Sequence, residues 1–256
     1  MTSAIAPQET TTPAIVVRAR IFGESDKIVT FLTRDLGKLT GIAKGAKRSK
    51  RRFVNVLEPF THVSLRVRQR QASDLAFISA CELLDAPRSF TLDLRKFAFA
   101  SYILELTDRM VRGREAGPET YDLVRDALAL LDRSEAEPGL LRGFELHLLR
   151  LTGYEPALDR CRRCGGGLAA NEGMYAQPAR GGLLCGRCRG EGRSYVISRA
   201  TLERLTTLQQ ASFDTADASA FALQPGVAAE ARALLRSFFG ATVTLPLVSE
   251  RLLDEL

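Results

Sequence analysis

Hydrophobic and polar positions change rhythm once along the chain. From residue 14 to residue 84 the rhythm is that of strands. AIVVRARIF (14–22) is dense in β-branched residues, which favour a pleated, half-buried surface. The turn-type cluster Gly23-Glu24-Ser25-Asp26 separates it from KIVTFLT (27–33), and Gly37 introduces KLTGIAK (38–44). In FTHVSLRVR (60–68), Thr61, Val63, Leu65 and Val67 share one face, and His62, Ser64, Arg66 and Arg68 the other. That period of two marks a strand with one buried face. LAFISACEL (75–83) makes a fifth candidate. Five short strands in one stretch predict a small barrel or sandwich. The stretch QRQASD (69–74) separates the last two candidates.

The period lengthens after Asp85-Ala86-Pro87-Arg88. Between Leu92 and Val111, Leu94, Phe97, Ala98, Tyr102, Leu104 and Leu106 recur at helical spacing. Tyr121–Leu131 and Leu140–Leu151 repeat that period, with Gly113, Gly117-Pro118 and Pro138-Gly139 as punctuation. Further helices are predicted at about 198–210 and 226–239, and VSERLLDEL adds a last amphipathic piece. The expected organisation is a flexible tail (1–13), a β domain (14–84) and a helical domain (85–256) with a cysteine module (158–192) embedded in it. No apolar run approaches the roughly 18 residues of a membrane span. The first residues do not read as a secretion signal, so a cytoplasmic location is the expectation.

Charge sharpens the picture. The chain carries a net +6. Between Arg34 and Arg70 there are eleven Lys or Arg against two acids, Asp35 and Glu58, an excess of nine that exceeds the whole-chain figure. The basicity therefore belongs to the β region, and a concentrated positive field favours a polyanion as partner. Its densest part is GIAKGAKRSKRRF (41–53), with Lys44, Lys47, Arg48, Lys50, Arg51 and Arg52 and no acid. The bland alternative is a solvated face, but the excess is more than solubility requires. Phosphates set against these side chains would release counterions and bind in a salt-dependent way. Phe22, Phe31 and Phe60 are expected in the core; Phe53, beside the cations, is the best candidate for stacking on bases.

Four of the five cysteines stand as CRRC (161–164) and CGRC (185–188). This is the C-x2-C, 15–20 residues, C-x2-C spacing of a zinc site. Each turn aims two thiolates at one point, and Cys161, Cys164, Cys185 and Cys188 together complete a tetrahedron. A full shell of four thiolates reads as one structural Zn²⁺ per chain, with no open catalytic position. An iron–sulfur cluster uses the same ligands and fits the spacing too. A disulfide pair or a thioredoxin-like motif fits less well. Cys81 reads as a small buried hydrophobe, and His62 and His147 as structural or surface residues. The chain has no phosphate loop, no H-E-x-x-H and no G-x-S-x-G elbow. The reading is a binding protein rather than an enzyme.

Taken together, FGESDKIVTFLTRDLGKLTGIAKGAKRSKRRF, LEPF (57–60), LTGYEPALDRCRRCGG (151–166) and GGLLCGRC (181–188) resemble the bacterial recombination mediator family RecO. The resemblance implies an α+β multidomain fold: an N-terminal five-stranded OB-fold β-barrel followed by an α-helical domain carrying a four-cysteine zinc module. It also implies binding of single- and double-stranded DNA, annealing of complementary strands, and help in loading RecA with RecR. It implies a groove in the helical domain for the acidic C-terminal tail of single-strand-binding protein. Two rival readings remain at this point. One is an RNA-binding or ribosome-associated zinc protein. The other is a metal-dependent nuclease, whose carboxylates would have to converge in space.

Overall fold

The structure, a computed structural model, describes residues 9–68, 75–113, 116–167, 174–177, 182–190, 194–240 and 247–256. The QRQASD stretch and Gly181 of the cysteine module lie outside them.

Five strands form a closed barrel: β1 (Glu9–Phe22), β2 (Asp26–Thr33), β3 (Gly37–Ala43), β4 (His62–Arg68) and β5 (Leu75–Asp85), in the order β1-β2-β3-β5-β4. β4 closes back on β1, and β3 and β5 pair in parallel while the other pairs are antiparallel. This is the five-stranded OB-fold barrel. One long strand makes closure possible. Ala14–Phe22 pairs with β2 and Glu9–Ile15 pairs with β4, and the register shifts between Val16 and Arg18, where the strand bends.

Residues 9–13, expected as part of a tail, are thus strand. Their pairing with Ser64–Arg68 needs only backbone groups, so a polar Thr run carries no apolar signal of it. Gly41 lets β3 and β5 approach: a Cβ there would lie 2.8 Å from Ile78 Cγ1 and 3.0 Å from the Ala76 carbonyl oxygen. The barrel core is filled by Val16, Val29, Phe31, Leu39, Val63, Leu65, Val67 and Ile78. The buried face of β4 is the predicted one, with Thr61, Val63, Leu65 and Val67 all inside.

The chain divides into two compact units. One holds the barrel through Leu92 together with Val111–Leu128; the other holds Asp93–Met110 and Ala129–Leu256.

The helices are α1 (Leu94–Met110), α2 (Pro118–Arg133), α3 (Pro138–Leu151), α4 (Arg199–Gln210), α5 (Pro225–Phe239) and α6 (Val248–Asp254). Pro118, Pro138 and Pro225 each open a helix, where a missing N–H costs nothing. On α1, Ala98, Tyr102, Leu104 and Leu106 are buried as the period predicts, but Leu94 and Phe97 are exposed in the first turn. Between α3 and α4 runs a small sheet of β6 (Ala157–Cys161), β7 (Met174–Gln177), β8 (Gly182–Cys185) and β9 (Tyr195–Ile197), ordered β6-β8-β7-β9.

Candidate nucleic-acid interface and metal centre

The cationic segment leaves β3 through Gly45, whose φ of 68° lies in the left-handed region that suits glycine. Asp26 holds this turn: its carboxylate accepts the Gly45 N–H at 2.8 Å and the Ser25 hydroxyl at 3.0 Å. The Gly45 N–H is the chief reason the Asp26 carboxyl sits below its ordinary range; burial opposes it, and Ser25 and Lys44 add to it. The Lys47 N–H donates to the Ser25 carbonyl at 2.9 Å, tying the segment to the β1–β2 turn. A short 3₁₀ turn, Ala46–Arg48, buries Ala46 as an anchor. Ser49 Oγ then accepts the N–H groups of Arg52 and Phe53 at 3.1 and 3.2 Å.

The backbone is thus fixed by small residues, and the long cationic side chains project outward. Lys44, Lys47, Arg48, Lys50, Arg51 and Arg52 are all exposed. None forms an ion pair with a carboxylate among the described residues. Arg52 is the most restrained, donating to the Lys44 carbonyl at 3.0 Å and lying 5.1 Å from the Phe53 ring centre.

Two aromatic expectations are corrected. Phe53, the stacking candidate, is 5% exposed and belongs to the barrel core with Val56 and Leu57. The Cys81 N–H donates to the Arg52 carbonyl at 3.2 Å and draws this loop over the barrel end, which turns the ring inward. Phe22, expected in the core, is half exposed because it ends β1 at the hairpin turn.

In the second unit, CRRC ends β6 and CGRC ends β8, and these strands pair side by side. The four Sγ atoms of Cys161, Cys164, Cys185 and Cys188 lie within 4.8 Å of one another. A tetrahedral ion with bonds of about 2.3 Å requires sulfurs about 3.8 Å apart, and Cys164 and Cys185 stand at 3.9 Å. The turns are pinned by Gly165 N–H to the Cys161 carbonyl at 2.9 Å and Cys188 N–H to the Cys185 carbonyl at 3.0 Å.

The thiols divide in acidity. Burial raises Cys161, but backbone N–H groups of Cys185, Cys164 and Arg163 outweigh it and bring the thiol down to about 6. Cys188 is pushed up to about 12 by burial and by hydrogen bonds with the other three thiols. Crowded sulfurs oppose a second charge until a cation joins them, which is the sense of the Cys188 shift. The donor set fits a metal ion. Among the described residues, it is the one convergence of three or more His, Cys, Asp or Glu side chains.

Cys81 is buried and its thiol pushed up to about 12 by burial. His62 and Tyr121 hydrogen-bond each other, and His147 donates to the Leu208 carbonyl at 3.2 Å. Burial is the chief cause that lowers the pKa of both imidazoles.

The periodicity did not single out a cavity of about 230 Å³ in the second unit. Its lining includes Phe99, Leu141, Leu253 and Leu256 and three arginines: Arg95, Arg142 and Arg232. Arg142 is 5% exposed and bonds Glu145, but its Nε has no partner among the described residues. The available signal was a charged pair inside the apolar run LLRGFELHLL.

Two family models match the chain. Recombination protein O N terminal covers residues 8–87, and Recombination protein O C terminal covers residues 91–251. The chain belongs to the RecO family. Its relatives include the DNA repair protein RecO of Anaeromyxobacter sp. (strain Fw109-5), 39% identical over 245 residues and 94% of each chain. That of Syntrophus aciditrophicus (strain SB) is 35% identical over 248 residues, 96% of this chain and 95% of the relative. That of Myxococcus xanthus (strain DK1622) is 35% identical over 226 residues, 88% of each. The cationic loop falls within the N-terminal RecO match and the four cysteines within the C-terminal one. Among the described residues, no helix is long and apolar enough to cross a membrane.

Proposed function

We propose that this RecO-family chain is a cytoplasmic, non-enzymatic recombination mediator that binds single- and double-stranded DNA through its barrel loop and anneals complementary strands. The observation that carries this reading is the cationic segment: six exposed Lys and Arg side chains on a pinned backbone, free of ion pairs to described carboxylates. Lys44, Lys47, Arg48, Lys50, Arg51 and Arg52 neutralise phosphates of two strands at once. Repulsion between the strands falls, and complementary bases meet. Because the contacts are to phosphate rather than base edges, binding is tolerant of sequence.

The four cysteines hold one Zn²⁺, which supplies folding energy to the small sheet. The arginine-lined cavity takes an acidic peptide with an apolar end, the chemistry of the single-strand-binding-protein tail. With RecR as partner, such tethering directs RecA loading to coated strands.

The test is to neutralise Lys47, Arg48 and Arg51 together. Affinity should weaken across single-stranded, duplex and unrelated sequences, and the slope of log affinity against log salt should fall by about one per lost phosphate contact. An unchanged slope removes these residues from the interface. Structured RNA outcompeting both DNA forms would favour an RNA partner instead. Strand annealing on coated single strands, wild type against the loop variant, tests the mediator step.

A further inference from the structure

One arginine of the cavity is already engaged. Arg232 of α5 is ion-paired with Asp254 in the last turn of α6. Leu253 and Leu256 of the same segment line the cavity. Asp254 and Leu256 therefore set a carboxylate on Arg232 and an apolar side chain in the same cavity lining, the chemistry that an incoming acidic peptide would present.

The two ends of this segment are held very differently. At its start, Glu105 of α1 accepts the Val248 N–H at 3.0 Å, the Ser249 N–H at 2.8 Å and the Ser249 hydroxyl at 2.7 Å. At its far end Glu255 and Leu256 lie beyond the helix and are exposed. The Arg232–Asp254 pair there has side chains 37% and 51% exposed. Pairs so open to water exchange readily. The cavity's other ion pair, Arg142–Glu145, has side chains 6% and 1% exposed and is sealed.

We infer that residues 254–256 act as an internal competitor, occupying Arg232 and lowering the cavity's affinity for acidic peptides until one displaces Asp254. This rests on the acidic-peptide reading of the cavity. The segment is tethered by the Glu105 cap, so displacement is a local fraying and not a loss of α6. Apparent affinity is reduced by the fraction of molecules whose Arg232 is engaged.

The experiment uses the full chain and a fluorescent peptide, Asp-Asp-Asp-Asp-Leu-Leu, followed by anisotropy. Asp254→Asn should bind it about two- to fivefold more tightly than wild type, the scale of an exposed ion pair. Arg232→Gln should weaken binding and erase the gain from Asp254→Asn. Asp254→Ser, which removes the same carboxylate, should also tighten binding, which keeps the test alive if Asp254→Asn misfolds. Equal or weaker binding by these two variants, with wild type binding the peptide, overturns the competitor and leaves the cavity reading standing. No binding by any of the proteins overturns both.

Discussion

Arg142 and Glu145 form an ion pair at 2.7 Å inside the second unit, and Tyr102 donates to the same carboxylate oxygen at 2.5 Å. Glu145 Oε2 has no partner among the described residues. Burial pushes the Glu145 carboxyl upward against the pull of Arg142, and burial likewise holds Tyr102 well above its ordinary value. Removing one member of such a triad strands another. Glu145→Ala should cost about 3–5 kcal/mol, because it leaves the Arg142 charge buried alone. Tyr102→Phe should cost about 1–3 kcal/mol. Urea unfolding midpoints of the two variants and their double would measure both losses, and additive losses would contradict a shared network.

Phe53 sits among the cations in sequence but in the core in space. Phe53→Ala should therefore destabilise the barrel by about 3–5 kcal/mol. Phe53→Leu, which keeps most of the buried volume, should leave affinity for single-stranded DNA unchanged. A DNA-binding loss in a fully stable Phe53→Leu protein would return the ring to the interface.

Purified chain should carry about one zinc ion, by elemental analysis of reduced protein. Chelation or Cys164→Ser should release it and open β6–β9 to proteolysis while leaving the thermal signature of the barrel in place. A metal-free protein with intact thiols would refute the assignment.

The Glu105 cap makes the hold on α6 depend on pH. Burial alone would raise the Glu105 carboxyl, but Ser249 and Val248, with Arg109, outweigh it and lower it. A carboxyl lowered in the folded state contributes stability above its ordinary value, and that contribution drains away as pH falls through the folded value. Hydrogen exchange in 248–254 should accelerate as pH drops below the ordinary carboxylate range, after correction for intrinsic rates. Glu105→Gln should flatten that dependence, and Glu105→Ala should cost about 1 kcal/mol, the scale of a lost helix cap. Exchange that tracks pH equally in both proteins would assign the effect elsewhere.

Some of this was legible in the chain itself. The alternation of Val63, Leu65 and Val67 decides which face of β4 is buried, because side chains in a strand alternate by geometry and only one face can leave water. The spacing of CRRC and CGRC decides which four sulfurs meet, because each turn is locally rigid. The crowding of Lys44–Arg52 decides that a positive field exists. Tertiary structure alone decided three other matters. Phe53 and the cations diverge because the Cys81–Arg52 hydrogen bond draws the loop over the barrel end, a pairing of residues 29 positions apart in the numbering. Residues 9–13 became strand because β4 offered them backbone partners that no periodicity announces. Arg95, Arg142 and Arg232 line one cavity because three helices far apart in sequence pack together. Local pattern encodes which side of an element is apolar; what that side meets is set by long-range packing, which a one-dimensional reading does not contain.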